Sequence, residues 1–106
     1  MMRIGKLRHR VELQRQAENR DGYGQPIRSW ATFATVWGSV EPLQGRELEH
    51  AKQITAETSH KITIRYQDSL NVENRVVYGD RIFDIEAILN PHERNEYLLL
   101  MCKEPS

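Results

Sequence analysis

The stretch "HKITIRY" constrains the fold more than any other part of the chain. His60, Ile62, Ile64 and Tyr66 alternate with Lys61, Thr63 and Arg65. Successive side chains of a strand point to opposite faces, while a helix repeats every ~3.6 residues. The segment is therefore a strand with one dry face and one wet face. The same alternation opens the chain in "KLRHRVELQRQ", with Leu7, His9, Val11 and Leu13 on one face and Arg8, Arg10, Glu12 and Gln14 on the other.

The intervening and following segments extend this pattern. "AENRDGYGQP" carries Asp21-Gly22, Gly24 and Pro26, too long for a tight hairpin, and reads as an exposed loop. "IRSWATFATVWGSVEPL" resumes strand chemistry, with Val36 and Val40 on one face and Trp37 and Ser39 on the other. Gly38 between them implies a bulge or a close approach by another backbone, and Pro42 ends the strand. "RVVYGDRIFDIEAIL" reads as a short strand, a turn at Gly79-Asp80 and a longer strand. In "EYLLLMCKE" the run Leu98 to Met101 implies burial on both faces. The one helical candidate is "QGRELEHAKQI", where Leu48, Ala51 and Ile54 recur every three residues and Glu49 can pair with Lys52. It has a thin apolar stripe and no strong N-cap, and a helix this short is marginal without tertiary support. The expectation is a mainly β chain: a small antiparallel β-barrel or sandwich of about six strands with one short helix or mobile loop, in a single domain spanning 1–106.

Composition narrows the function classes. Lys plus Arg and Asp plus Glu balance at 15 each, whereas a free-standing nucleic-acid binder shows a basic excess. One cysteine, Cys102, rules out an intrachain disulfide and suits a reducing compartment. The basic start "MMRIGKLRHR" is not followed by the apolar run of a signal peptide, and no stretch reaches the ~20 apolar residues of a membrane helix. A soluble protein made in the cytoplasm is expected.

The chemistry-bearing residues do not assemble into a catalytic pattern. His9, His50, His60 and His92 lack metal-ligand spacing. His9 and His60 fall on dry strand faces and read as partly buried, hydrogen-bonded histidines near a barrel rim. No serine-nucleophile motif and no phosphate loop is present. Asp84 and Glu86 share a strand face with Ile82 and Ile88 and read as a solvent side or subunit contact. No catalytic residue, metal or cofactor is expected, and the protein is not read as an enzyme. "NPHERN" reads as a hairpin turn: Asn90, Pro91, His92 and Glu93 suit a type I turn, and Asn90, preceding proline, is pushed extended. Residues 82–89 and 96–103 then pair antiparallel. Tyr23, Trp30, His92, Glu93 and Arg94 are candidate docking residues, because Trp, Tyr and Arg dominate protein interfaces. Trp37, within a strand, reads as a core residue.

"IGKLRHRVELQR", "RDGYGQ", "WGSVEPLQGRE", "HKITIRY", "VVYGDRIFDIEAILNPHERN" and "LLLMCKE" occur in an order and spacing that resembles the phage head-tail joining proteins (head-closure, stopper or head-tail adaptor proteins) of long-tailed phages and prophages, nearly end to end. The resemblance implies a small β-barrel and a structural connector. Such a protein forms a ring below the portal and adaptor, closes the DNA channel after packaging and offers a tail-docking platform. Implied partners are the adaptor ring above, tail proteins below, further copies in a cyclic homo-oligomer, and packaged DNA in passing, with no membrane. The implied location is the virion head-tail interface, assembled in the host bacterial cytoplasm. The family's mobile channel-gating segment maps onto Leu43, Gln44, Gly45, Arg46, Glu47, Leu48, Glu49, His50, Ala51, Lys52, Gln53, Ile54, Thr55, Ala56, Glu57 and Thr58. A tail-terminator-like ring protein is the nearest alternative. A small nucleic-acid-binding barrel is a further one, poorly supported because Lys61 and Arg65 of "KITIRY" face away from Tyr66.

Overall fold

A computed structural model of the chain describes residues 7–20, 22–53 and 56–105. Six strands, β1 (His9–Arg20), β2 (Pro26–Pro42), β3 (His60–Arg65), β4 (Arg75–Tyr78), β5 (Arg81–Leu89) and β6 (Tyr97–Lys103), close into a barrel in the order β1-β2-β3-β6-β5-β4. Every neighbouring pair is antiparallel. Closure leaves no strand at the end of the sheet. One helix, α1 (Gly45–Lys52), lies between β2 and β3.

The dry faces read from the alternation line the barrel. Val11 and Leu13 of β1, Ile62 and Ile64 of β3, Val76, Phe83, Ile85, Leu98, Leu100 and Cys102 form one buried cluster. The close approach expected at Gly38 is present: a Cβ there would stand 3.1 Å from Ile64 Cγ2, 3.1 Å from the Thr63 carbonyl oxygen and 3.3 Å from Val11 Cγ2. A side chain here would have to push its neighbours back by a few tenths of an ångström, and glycine lets β1, β2 and β3 draw together at this point.

Two β-bulges re-aim side chains. The β1–β2 register slips so that Leu13 faces Ala34 and Gln14 faces Thr32, leaving Phe33 as the extra residue. On β5, Ile85 faces Cys102 and Ala87 faces Met101, leaving Glu86 as the extra residue. An extra residue switches the face of everything beyond it. Ile88 accordingly packs on the core with Phe83 and Ile85, while Ile82 points out and is exposed. The expectation that Ile88 shares a face with Asp84 and Ile82 is corrected by this bulge.

The expected loop "AENRDGYGQP" is largely strand. β1 runs to Arg20 and β2 starts at Pro26, with twelve paired positions between them. Only Glu12–Gln14 of β1 also pair with β4, and only Gly38–Pro42 of β2 also pair with β3. The remainder is a two-stranded arm projecting from the barrel, and the molecule measures 51 × 27 × 26 Å. The polar, turn-prone composition that suggested a loop belongs to an arm without a core to bury.

Candidate functional site

Strand direction sorts the connections onto two ends of the barrel. The β1–β2 arm, the 66–74 loop and the 90–96 turn share one end. The α1 segment, the Gly79-Asp80 turn and the residues after β6 share the other. Tyr23, Trp30, His92, Glu93 and Arg94 therefore all belong to the arm end, and Leu43 to Thr58 to the opposite end. Ile54 and Thr55 of that segment lie outside the described residues.

The 43–58 segment is strapped to the outside of the barrel. Its helix starts at an extended Gln44 with no side-chain cap and buries only Ala51. Leu43, Ala51 and Met101 form a small cluster, with Leu48 and Ala87 against it. Met101 points outward from β6, away from the barrel core, and this is why the run Leu98 to Met101 is apolar on both faces. Backbone bonds pin the ends of the segment: Leu43 N–H to the Ser59 carbonyl at 2.9 Å, and Ser59 N–H to the Cys102 carbonyl at 2.9 Å. Exposed ion pairs join Glu47 to Lys61, and Glu57 to Lys103 at 2.8 Å. The Lys103 ammonium holds the Glu57 carboxyl below the usual carboxylate range. The helix thus pairs with β3 through Glu47. Thr58 is buried, and its hydroxyl has no hydrogen-bond partner among the described residues.

At the arm end, "NPHERN" is a hairpin turn, as expected. The Glu93 N–H donates to the Asn90 carbonyl at 2.9 Å, and Asn90 is extended at φ −113° and ψ 90°. Its third position, His92, has φ 57°, with Glu93 at 53° and Asn95 at 57°. The type I expectation is corrected, since that turn has negative φ at its third position and type II has positive φ there. Asn90 and Asn95 clasp the base: Nδ2 of Asn90 donates to Asn95 Oδ1 at 2.7 Å, and the Asn95 N–H donates to Asn90 Oδ1 at 3.2 Å. His92, Glu93 and Arg94 stand exposed on this clasped loop.

Both tryptophans carry a guanidinium. Trp37 is 52% exposed, and Arg10, its cross-strand partner, sits 4.9 Å from the ring. The core reading of Trp37 is therefore corrected: counting from the core-facing Val11–Val36 pair, position 37 faces out. Trp30 is half-buried, with Arg75 at 4.2 Å. Arg75 Nε donates to Gln14 Oε1 at 2.7 Å and Gln14 Nε2 to Thr32 Oγ1 at 3.1 Å, which steadies the pair. Tyr23, near the arm tip, is 93% exposed.

One cluster was not legible in the sequence. Ser59 Oγ lies 2.8 Å from His60 Nδ1, and Glu104 lies 3.9 Å from His60 Nε2, an order of groups reminiscent of a hydrolase. The geometry opposes that chemistry. Arg81 grips Glu104 with two bonds of 2.7 and 2.9 Å, and its Nη2 meets His60 Nε2 at 3.3 Å. A guanidinium only donates, so Nε2 accepts and the proton sits on Nδ1, facing Ser59. That imidazole gives a hydrogen bond to the hydroxyl and cannot take its proton. Burial, with the Arg81 charge, pushes the His60 pKa down despite Glu104. The Cys102 thiol, pushed up to about 12 by burial and by Glu86 and Asp84, is no nucleophile either. His9 is the partly buried, hydrogen-bonded histidine expected: its Nδ1 accepts from the Val40 N–H at 3.2 Å, and its ring lies 4.7 Å from that of Tyr78. Among the described residues no group of three His, Cys, Asp or Glu side chains gathers in a way that could hold a metal ion.

The chain is 31% identical to head completion protein gp7 of Enterobacteria phage HK97 over 107 residues, 96% of each chain. The solution structure of protein SF1141 from Shigella flexneri 2a superposes with a TM-score of 0.81 at 27% identity, covering 99% of this chain and 98% of that one. A chain of the virion of a native gene transfer agent particle shares the fold, with a TM-score of 0.61 at 20% identity and coverage of 93% and 96%. Residues 2–105 match the phage head completion protein family, and the chain belongs to that family.

Proposed function

We propose that this chain is a structural, non-enzymatic component of the phage head-tail connector. In this reading residues 1–106 act as one head-tail joining domain. Copies form a cyclic ring below the portal and adaptor, close the DNA channel after packaging, and present a platform to the tail. Assembly takes place in the host bacterial cytoplasm, and packaged DNA is touched only in passing. The observation that carries the reading is the match to head completion proteins along nearly the whole chain.

Physical features support a division of labour between the two ends. The 43–58 segment is the gate. A single buried helical residue, a cluster of three buried side chains and exposed ion pairs hold it, and exposed ion pairs contribute little to stability. Tyr23, Trp30, His92, Glu93 and Arg94, gathered at the other end, meet the neighbouring ring or the tail. The zero formal net charge suits a lumen through which DNA must slide, because each cation on a phosphate path adds salt-dependent affinity.

The test replaces Leu43–Thr58 by a flexible linker in the phage or prophage that encodes the chain. Heads should package DNA and then lose it, with the connector ring still visible by electron microscopy. Particles that retain DNA at the normal level would remove the gate. Particles in which the protein is absent from the connector would remove the whole reading.

A further inference from the structure

His9 and His60 both sit at the α1 end of the barrel, where β1, β3 and β5 start and β2, β4 and β6 finish. Each ring accepts a hydrogen bond there. The β1–β2 ladder stops at the His9–Gly38 pair, and beyond it the Val40 N–H is met by His9 Nδ1 at 3.2 Å. His60 Nε2 accepts from Arg81 Nη2 at 3.3 Å, because a guanidinium only donates. An imidazole nitrogen accepts only while it carries no proton, so both contacts require the neutral ring.

These two rings flank the roots of the 43–58 strap. Val40 lies three residues before Leu43, and Ser59 lies directly before His60. The roots are joined by the Leu43 N–H, which donates to the Ser59 carbonyl at 2.9 Å, and the Ser59 N–H donates to the Cys102 carbonyl at 2.9 Å. On its other side the His60 ring meets Ser59 Oγ through Nδ1 at 2.8 Å. The β4–β5 hairpin links the two rings. His9 lies 4.7 Å from the Tyr78 ring, Tyr78 is the cross-strand partner of Arg81, and Arg81 reaches His60.

Around His60 stand Pro42 of β2, Arg81 and Phe83 of β5, and Cys102 and Glu104 at the end of β6. Glu104 is the carboxylate that faces the ring, at 3.9 Å, and Arg81 already holds both of its oxygens at 2.7 and 2.9 Å. The Cys102 thiol, pushed up to about 12, stays neutral. Burial holds the His60 pKa below its usual value, with Glu104 pulling it up and Arg81 pushing it down. Around His9 stand Tyr78 of β4 and Gly38 and Val40 of β2, and no ion pair reaches it among the described residues. Arg8, Arg10 and Lys61 lie on the opposite faces of their own strands.

We propose that His9 and His60 form an acid-sensitive latch on the roots of the strap, which holds while both rings are neutral and loosens when they take up protons. Protonated, His9 turns an N–H toward the Val40 N–H, and His60 turns one toward the Arg81 guanidinium. Two donors then face each other at each root. The closed form binds these protons less readily than the open one, so opening is favoured as pH falls below about 6.5, where a free histidine titrates. The strap's ion pairs do not account for a change in this range, because carboxylates titrate near 4.3. Glu57, held below the usual carboxylate range by Lys103, keeps its pair there. The inference rests on the reading of 43–58 as a segment that can leave the barrel.

The test is amide exchange on the full chain and on the double variant His9→Asn, His60→Gln. Asn carries a carbonyl oxygen at the position of Nδ1 and Gln one at the position of Nε2, so both acceptors remain and neither titrates. The variant keeps His50 and His92, both exposed, so any general effect of acid persists in it. Rates are divided by the intrinsic rate at each pH. Between about pH 7.5 and 5.5, protection of the Val40, Leu43 and Ser59 amides should fall about fivefold or more in the wild-type chain and less than about twofold in the variant. Low urea should leave these rates unaltered, the mark of a local opening. A readout that needs no variant is the titration of the wild-type spectrum: the Val40 amide should move with the midpoint of the His9 ring protons, and the Ser59 amide with that of His60. Equal falls in both chains, or protection that rises in acid as Glu104 captures a charged His60, would overturn the latch. A strap that opens readily at every pH would overturn it too, and would leave the releasable segment standing. Strap amides as protected as those of Ile62–Ile64 at every pH and salt concentration would overturn the latch and the releasable segment together.

Discussion

β1 and β2 each pass through two environments. Near the barrel, Val11, Leu13 and Val36 face the core, and each strand has a stretch with a second ladder partner, Glu12–Gln14 with β4 and Gly38–Pro42 with β3. Along Arg15–Arg20 and Pro26–Thr32 the same two strands have only each other. The difference is one of enclosure and not of local propensity, since the β2 arm is as rich in β-forming residues as its barrel half. Burial by neighbours makes the barrel rigid, and its absence leaves the arm, like the strap at the opposite end, a surface feature carried by a stable body. The division predicts that perturbations inside the barrel cost several kcal/mol and perturbations outside it almost nothing.

The largest effect is expected at the centre of the core. Phe83 is fully buried, and Phe83→Ala should cost about 3–5 kcal/mol, the usual range for a buried phenylalanine. Urea unfolding measures it. A loss below ~1 kcal/mol would mean that the barrel is no better packed than its attachments. Gly38→Ala comes next. The added methyl meets the Thr63 carbonyl oxygen and the fully buried Ile64, neither of which is free to move, and overpacking of this kind costs about 1–3 kcal/mol. A neutral result would show that β1, β2 and β3 can separate more easily than the core packing implies.

The distinction between inside and outside also shows how far the sequence could be read. Strand faces at Val11, Leu13, Ile62 and Ile64 were legible because a period of two survives wherever one side is dry. Leu48 and Ala51 of the α1 stripe were legible for the same reason at another period. Ile88 was not, because the bulge at Glu86 breaks the period and leaves no compositional mark. Trp37 was not, because a large apolar residue normally signals burial and here Arg10 covers it from outside. The strand character of 17–20 and 26–28 was hidden by polar residues that an arm tolerates and a core would not. Of the candidate site, the helix inside 43–58 and the 90–95 turn were visible in local signals, while the bounds of the 43–58 segment came from the family resemblance. Their placement at opposite ends, and the Ser59–His60–Arg81–Glu104 cluster, depend on strand order, which no local signal encodes.

A pH effect at the rim sharpens the same boundary. His60 has its pKa lowered from 6.5 by burial, so the unfolded chain binds more protons than the folded one in the window below that value. Stability is therefore fully present above pH 6.5 and declines as pH falls through the depressed folded value. His60→Gln should flatten this part of the profile in urea midpoints taken between neutral and mildly acidic pH. An unchanged slope would mean that His60 is as wet as a surface histidine. The smallest effects belong to the clasped turn. His92→Ala and Glu93→Ala should each change stability by no more than about 0.5 kcal/mol, as exposed sites do. A loss of several kcal/mol, or a hydrolytic activity that disappears with His92, would make the loop something other than a turn.

The most direct measurement of the central claim is amide hydrogen exchange on the free chain, comparing the strap with β3. Local opening is easiest where few apolar contacts hold the backbone. The amides of Glu47–Gln53 should exchange much faster than those of Ile62–Ile64, and faster still in high salt, as the Glu47–Lys61 and Glu57–Lys103 pairs are screened. Strap amides as protected as those of β3, and indifferent to salt, would contradict the picture of a rigid barrel carrying a releasable segment.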